Sequence, residues 1–245
     1  MVSQKPWSVE AAARLFITVL LTLFLGLFLA NLAETPKLGW SRDQRDFVEM
    51  VLMTIFFQCS ALFWIRHFLR AHGLTWGQAF FPAPRHRRAV LLGLGVGAVA
   101  TPVLWLLQEG LTIFLEKVFH YHLDAQEVVE KLGNPSIALA PKIFLGATAI
   151  LLAPMAEEAL FRGVLYPTIK QQGYPRLALW FTSLLFAVSH VSVMAFVPLA
   201  LFSIILIRLY EATDNLLAPM AAHSALNTIN FVWIIAFGAD VAKNS

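Results

Sequence analysis

The run LFITVLLTLFLGLFLANLA, from about Leu15 to Ala33, contains no charged side chain. A spanning helix needs roughly 20 mostly apolar residues, because the hydrocarbon core is about 30 Å thick and a helix rises about 1.5 Å per residue. This run meets that length, and six more segments follow it: about Val48–Leu69, Ala89–Phe119, Ile137–Lys170, Arg176–Val191, Met194–Tyr210 and Leu216–Phe237. The predicted fold is therefore all-α, a polytopic transmembrane helix bundle of about seven spans. The third contains Pro102 and should kink there. Lys5 and Arg14 before the first run resemble the start of a secretory signal peptide, but the run is long enough to span and no clear small-x-small cleavage site follows it.

Composition agrees. Of 245 residues, 58% are apolar and 13% charged, against about 25% charged in soluble domains, whose surface must face water. Collagen-like, disordered, disulfide-scaffold and nucleic-acid-binding classes are excluded. The net charge of +3, from 18 Lys and Arg against 15 Asp and Glu, orients loops rather than recruits polyanions. Cys59 has no partner for an internal disulfide and, within an apolar run, reads as a small buried residue.

Arg66, Arg70, Arg85, Arg87 and Arg88 crowd the loop after the second span, with His67, His72 and His86, and predict that loop to be cytoplasmic. The N-terminus then lies inside, the C-terminus outside, and eleven Lys and Arg fall inside against seven outside. Glu116 to Lys131, with Asp124, Glu127 and Glu130, reads as an external loop with a short interfacial helix. Residues 1–136 form a frame of spans and loops without motifs, 137–238 a membrane core that holds the intramembrane polar residues, and 239–245 a short tail.

Ionisable residues inside a bilayer cost on the order of 2.5–3.5 kcal/mol each on insertion scales, so they need partners and suggest function. Glu157, Glu158 and Arg162 lie in one apolar helix. Adjacent residues point about 100° apart, so the two carboxylates cannot share a face; Glu158 and Arg162, four apart with the acid first, can pair and leave Glu157 free. Phe186 and His190 are four apart on the fifth span, and His223 and Asn227 four apart on the seventh. Taken singly, the histidine reads as a satisfied structural residue and the His–Asn pair as interhelical glue, about 0.6 kcal/mol. Arg208, Glu211 and Asp214 end a span, where snorkelling charges are ordinary. Counting turns from the arginine-rich side puts Glu157 and His190 roughly 20 Å deep, with Asn227 near the same level and His223 one turn shallower. Three helices thus bring one carboxylate, two imidazoles and one amide toward a single pocket.

Glu157-Glu158-x-x-x-Arg162, Phe186-x-x-x-His190 and His223-x-x-x-Asn227, in this order over residues 137 to 238, resemble the three motifs of the CAAX protease and bacteriocin-processing (CPBP) family of intramembrane proteases, which includes the Rce1 endopeptidases. The resemblance implies a glutamate-type endopeptidase. Glu157 would be the general base on water, helped by His190; His223 and Asn227 would donate to the oxyanion; Glu158, Arg162 and Phe186 would support them. It implies no cofactor. Pro154, three residues before Glu157, removes one helical hydrogen bond and would open the backbone for substrate.

Two histidines and a carboxylate also make a catalytic zinc set, so Glu157, His190 and His223 are alternative zinc ligands. Against zinc, no His-Glu-x-x-His helix is present, and Glu158 points the wrong way to be the base. A non-enzymatic immunity or scaffold protein, or a proton-relay transporter, is the rival from another class; the paired repeats of a transporter are absent from the sequence. Expected partners are the lipid bilayer and a peptide or lipid-modified protein substrate at the membrane: a prenylated C-terminal Cys-a-a-X protein, a leader peptide or a C-terminal sorting tail. The expected location is a bacterial inner membrane.

Overall fold

The computed structural model describes residues 2–33, 39–119 and 139–244. All regular elements among the described residues are helices: α1 (Val9–Ala33), α2 (Gln44–Ala71), the short α3 (Trp76–Phe80), α4 (His86–Phe119), α5 (Leu139–Lys170), α6 (Pro175–Val188), α7 (Val193–Thr213) and α8 (Leu217–Asn244). The chain is an all-α polytopic helix bundle and an integral, multi-pass membrane protein. Helix α8 continues through most of the stretch expected as a tail. The expected external loop lies outside the described residues, apart from its first positions, which extend α4.

Six of the seven expected spans, α1, α2, α4, α5, α7 and α8, are long and apolar enough to cross a membrane. The other, α6, has 14 residues and is about 21 Å long, short of the roughly 30 Å core. Its end has a local cause. Ser189 Oγ donates to the Phe186 carbonyl, Val191 takes a left-handed backbone (φ 49°), and Ser192 accepts from Ala195 N to start α7. His190 thus sits at the tip of a helix that stops short, and α7 returns alongside.

Large apolar side chains such as Phe24, Phe28, Leu106 and Trp180 stand on the outer surface of the bundle, as expected where lipid takes the place of water. Cys59 is exposed there too, contrary to the sequence expectation; an apolar residue in a span needs no protein cover. Inside, one cluster joins α1, α2, α3, α5 and α6 through Ile65, Phe80, Phe161 and Phe186. A second joins α4, α7 and α8 through Leu104, Phe202, Leu206 and Ala222. Helices α4 and α8 touch at backbone distance: a Cβ on Gly93 would lie 2.2 Å from the Ala218 carbonyl oxygen, and one on Gly97 2.3 Å from that of Ala222. This Gly-x-x-x-Gly contact sets the position of α8 one residue before His223.

The N-terminal stretch, the connection after α2 and the turns after α5 and α7 meet at one end. Ser3 donates to Asp214 through both its backbone N–H and its hydroxyl, Trp7 Nε1 donates to Thr168 Oγ1 (2.8 Å), and Leu216 N donates to the Phe80 carbonyl (2.9 Å). Lys5 Nζ donates to the Ala79 carbonyl at 2.6 Å.

Candidate active site

Helix α5 carries the acidic pair, and its backbone is irregular on both sides of it. Thr148–Leu152 and Ala159–Leu165 are π-helical turns flanking Ala153–Glu158. Such wide turns concentrate at functional sites because they redirect side chains within an otherwise continuous helix. Pro154 lies at the start of the α-helical piece, where its missing N–H interrupts the ladder.

Arg162 Nη1 donates to Glu158 Oε1 at 3.0 Å, with both side chains 0% exposed. Arg162 Nη2 donates to Ser203 Oγ of α7 at 2.7 Å, and the guanidinium lies 4.2 Å from the centre of the Phe186 ring. Glu158 Oε1 also meets His223 Nδ1 at 2.9 Å. One buried carboxylate therefore holds both the arginine and the imidazole, which explains how a charge pair survives at this depth.

Glu157 is the other case. Its Oε2 is buried with no hydrogen-bond partner, 3.8 Å from His190 Nε2 and 4.0 Å from His223 Nε2. Both separations exceed a direct hydrogen bond. Phe186 packs against both imidazoles, with ring centres 4.8 and 5.8 Å away, and Phe202 backs His223 at 5.7 Å.

The other ring nitrogens settle the tautomers. His190 Nδ1 lies 2.8 Å from the Phe186 carbonyl, which can only accept, so Nδ1 carries the hydrogen. His223 Nδ1 faces a carboxylate already paired with Arg162, and it too donates. In the neutral state each Nε2 therefore presents a lone pair toward Glu157, and each becomes a donor there only as an imidazolium.

Asn227 lies one turn along α8 from His223, and its Nδ2 donates to the Ala149 carbonyl (2.7 Å) in the first π-helical turn of α5. The structure thus brings Glu157, Glu158, Arg162, Phe186, His190 and His223 into one cluster, with Asn227 beside it, tied to α5 and holding one amide N–H in reserve. The residues missed by sequence reasoning are Ser203 and Phe202. Ser203 left a signal, a lone hydroxyl in the apolar run Leu201–Ile205. Among the described residues no group of three or more His, Cys, Asp or Glu is placed to hold a metal ion.

The site is that of a membrane-embedded acid–base cluster built on three helices. Residues 139–229 match the family model described as Type II CAAX prenyl endopeptidase Rce1-like, a stretch that holds all three polar motifs of the site. It is similar to Uncharacterized protein YpbD of Bacillus subtilis (strain 168), 37% identical over 83 residues, which cover 32% of this chain and 40% of that protein. The chain thus matches less than half the length of that curated relative. No solved structure matches.

Proposed function

We propose that the protein is an intramembrane endopeptidase in which Glu157 activates a water molecule for attack on a peptide bond of a membrane-associated substrate. The observation that carries this reading is the placement of Glu157 Oε2, buried, without a hydrogen-bond partner and facing the Nε2 atoms of His190 and His223. At 3.8 and 4.0 Å these separations let one water beside them reach the carboxylate and an imidazole through hydrogen bonds of about 2.8 Å each. Glu157 takes the water's proton as hydroxide adds to the carbonyl carbon, and the proton passes to the leaving amine as the tetrahedral intermediate collapses. His190 orients the water through its Nε2 lone pair. His223 donates to the oxyanion as an imidazolium, its ring held in place by the Glu158 carboxylate on Nδ1, and Asn227 adds its remaining amide N–H.

The chemistry proceeds without a metal in this reading. Suitable substrates are prenylated C-terminal Cys-a-a-X proteins, leader peptides and C-terminal sorting tails, all of which reach a site within the bilayer. The proposed setting is a bacterial inner membrane with the arginine-rich end and the N-terminus cytoplasmic.

Comparing the protein fragments of cells carrying the wild-type chain with those of cells carrying Glu157→Gln tests the reading. The variant is expected to insert and fold normally while cleavage falls at least about a hundredfold, the scale of a general base. Identical fragment sets from both would remove the basis for a protease. With purified protein, cleavage is expected to survive exhaustive chelation and dialysis; loss on metal removal and recovery with stoichiometric zinc would instead make Glu157, His190 and His223 ligands.

A further inference from the structure

Four basic side chains, Arg85, His86, Arg87 and Arg88, crowd the start of α4, far in sequence from the acidic pair. The three arginines are exposed, and among the described residues none of them makes an ion pair or a side-chain hydrogen bond. Together with Pro84, Leu91 and Leu92 they line an open depression of about 620 Å³. Leu91 and Leu92 are 58% and 44% exposed on the span just beyond the charges. The depression therefore has a cationic end, where α4 begins, and an apolar end facing the lipid.

The backbone beneath these side chains is pinned. Asn215, 1% exposed in the turn between α7 and α8, donates through Nδ2 to the Ala83 carbonyl at 3.1 Å and to His86 Nδ1 at 2.9 Å. Its Oδ1 accepts from Leu217 N (3.0 Å), which fixes the orientation of the amide. His86 Nδ1 is thus an acceptor, and the ring hydrogen sits on Nε2. Three guanidinium groups and this N–H make a site whose side chains only donate, suited to an anion with several acceptor oxygens.

We infer that this depression binds an anionic phospholipid, with the phosphate headgroup on Arg85, Arg87 and Arg88 and an acyl chain along Leu91 and Leu92. Charge complementarity selects the headgroup, because a zwitterionic lipid brings its own cation to a site with no acceptor. The exposed leucines on the same wall select a lipid over a free phosphate. This site is independent of the proposed peptidase chemistry and stands or falls separately from it.

Native mass spectrometry of the full chain, released from detergent micelles holding equal amounts of phosphatidylglycerol and phosphatidylcholine, tests the inference. The wild-type protein is expected to retain phosphatidylglycerol preferentially. Arg87→Gln/Arg88→Gln should reduce that preference at least about tenfold, while Arg66→Gln/Arg70→Gln, which removes the same charge from α2, should leave it unchanged. Equal loss in both double variants would show a general charge effect and overturn the site, as would no loss in either. A variant that fails to insert is replaced by Arg87→Lys/Arg88→Lys, which keeps the charge and loses the bidentate fork, and is expected to weaken retention measurably; unchanged retention overturns the site. Millimolar inorganic phosphate should not displace the lipid; complete displacement would make this a phosphate site.

Discussion

Helices α1 and α2 meet through small hydroxyls, with Thr22 Oγ1 3.1 Å from Ser60 Oγ; one donates to the other, whose own hydrogen goes to a carbonyl of its helix, Val19 for Thr22 or Phe56 for Ser60. Helices α5, α7 and α8 meet through Glu158, Arg162, Ser203 and His223, all buried. Both halves are apolar enough to span a membrane, so hydrophobicity does not separate them. The difference is that the second half carries an ionised pair tied across helices as well as within one: Glu158 holds Arg162 on its own helix and His223 of α8, and Arg162 reaches Ser203 of α7. In the first half a polar contact adjusts the packing; in the second it holds the site together.

Glu158→Gln should break this contrast most strongly. It removes the carboxylate that holds both Arg162 and His223, and breaking a buried pair costs about 3–5 kcal/mol. Thermal unfolding in detergent should show a large loss of stability, while Thr22→Val with Ser60→Ala should change it by no more than about 1 kcal/mol. Comparable losses in both would show that the second half has no special dependence on its ionic contacts.

Next in size is Asn227→Ala. Loss of an oxyanion donor lowers turnover about a hundred- to thousandfold, roughly 2.7–4 kcal/mol, with substrate affinity little changed. If turnover stays at the wild-type rate and only melting falls, the Ala149 contact is the whole role of Asn227, and α8 contributes chemistry through His223 alone.

The smallest effect belongs to the frame. Burial pushes the Lys5 ammonium below its ordinary value of 10.5, with Asp214 partly opposing the shift. A lysine with a lowered folded pKa binds fewer protons folded than unfolded, so stability rises with pH from the folded value up to the unfolded one and is flat outside that window. Melting temperature should therefore rise modestly toward pH 10.5, and Lys5→Met should remove the rise. A rise that persists in Lys5→Met would assign it to another group.

Much of the site was legible because a bilayer makes polar residues conspicuous. The four-residue spacings of Glu158 with Arg162 and His223 with Asn227 survive folding because each rests on helical geometry, and Phe186 still meets His190 although the latter lies in the turn just past α6. The depth count brought Glu157 level with His190, and they lie 3.8 Å apart. The contact between Glu158 and His223 was not legible: it spans 65 residues, and sequence spacing within one helix is silent about the rotation of another. The early end of α6 was hidden too, because Arg176–Val191 reads as one apolar run and the break at Val191 depends on a left-handed backbone at a β-branched residue, which sequence preference opposes.

By itself, the sequence determined that this chain is a helical membrane protein and singled out the polar residues within its spans, because length, apolarity and turn spacing are local properties. The tertiary structure decided which partner each of those residues takes. Gly93 and Gly97 let α8 approach α4 at backbone distance, the π-helical turns of α5 set where its carboxylates point, and Ser203 anchors Arg162 from α7. These contacts depend on helices docked to within a few ångströms, and only there does Glu158 hold His223 while Glu157 is left facing two imidazoles.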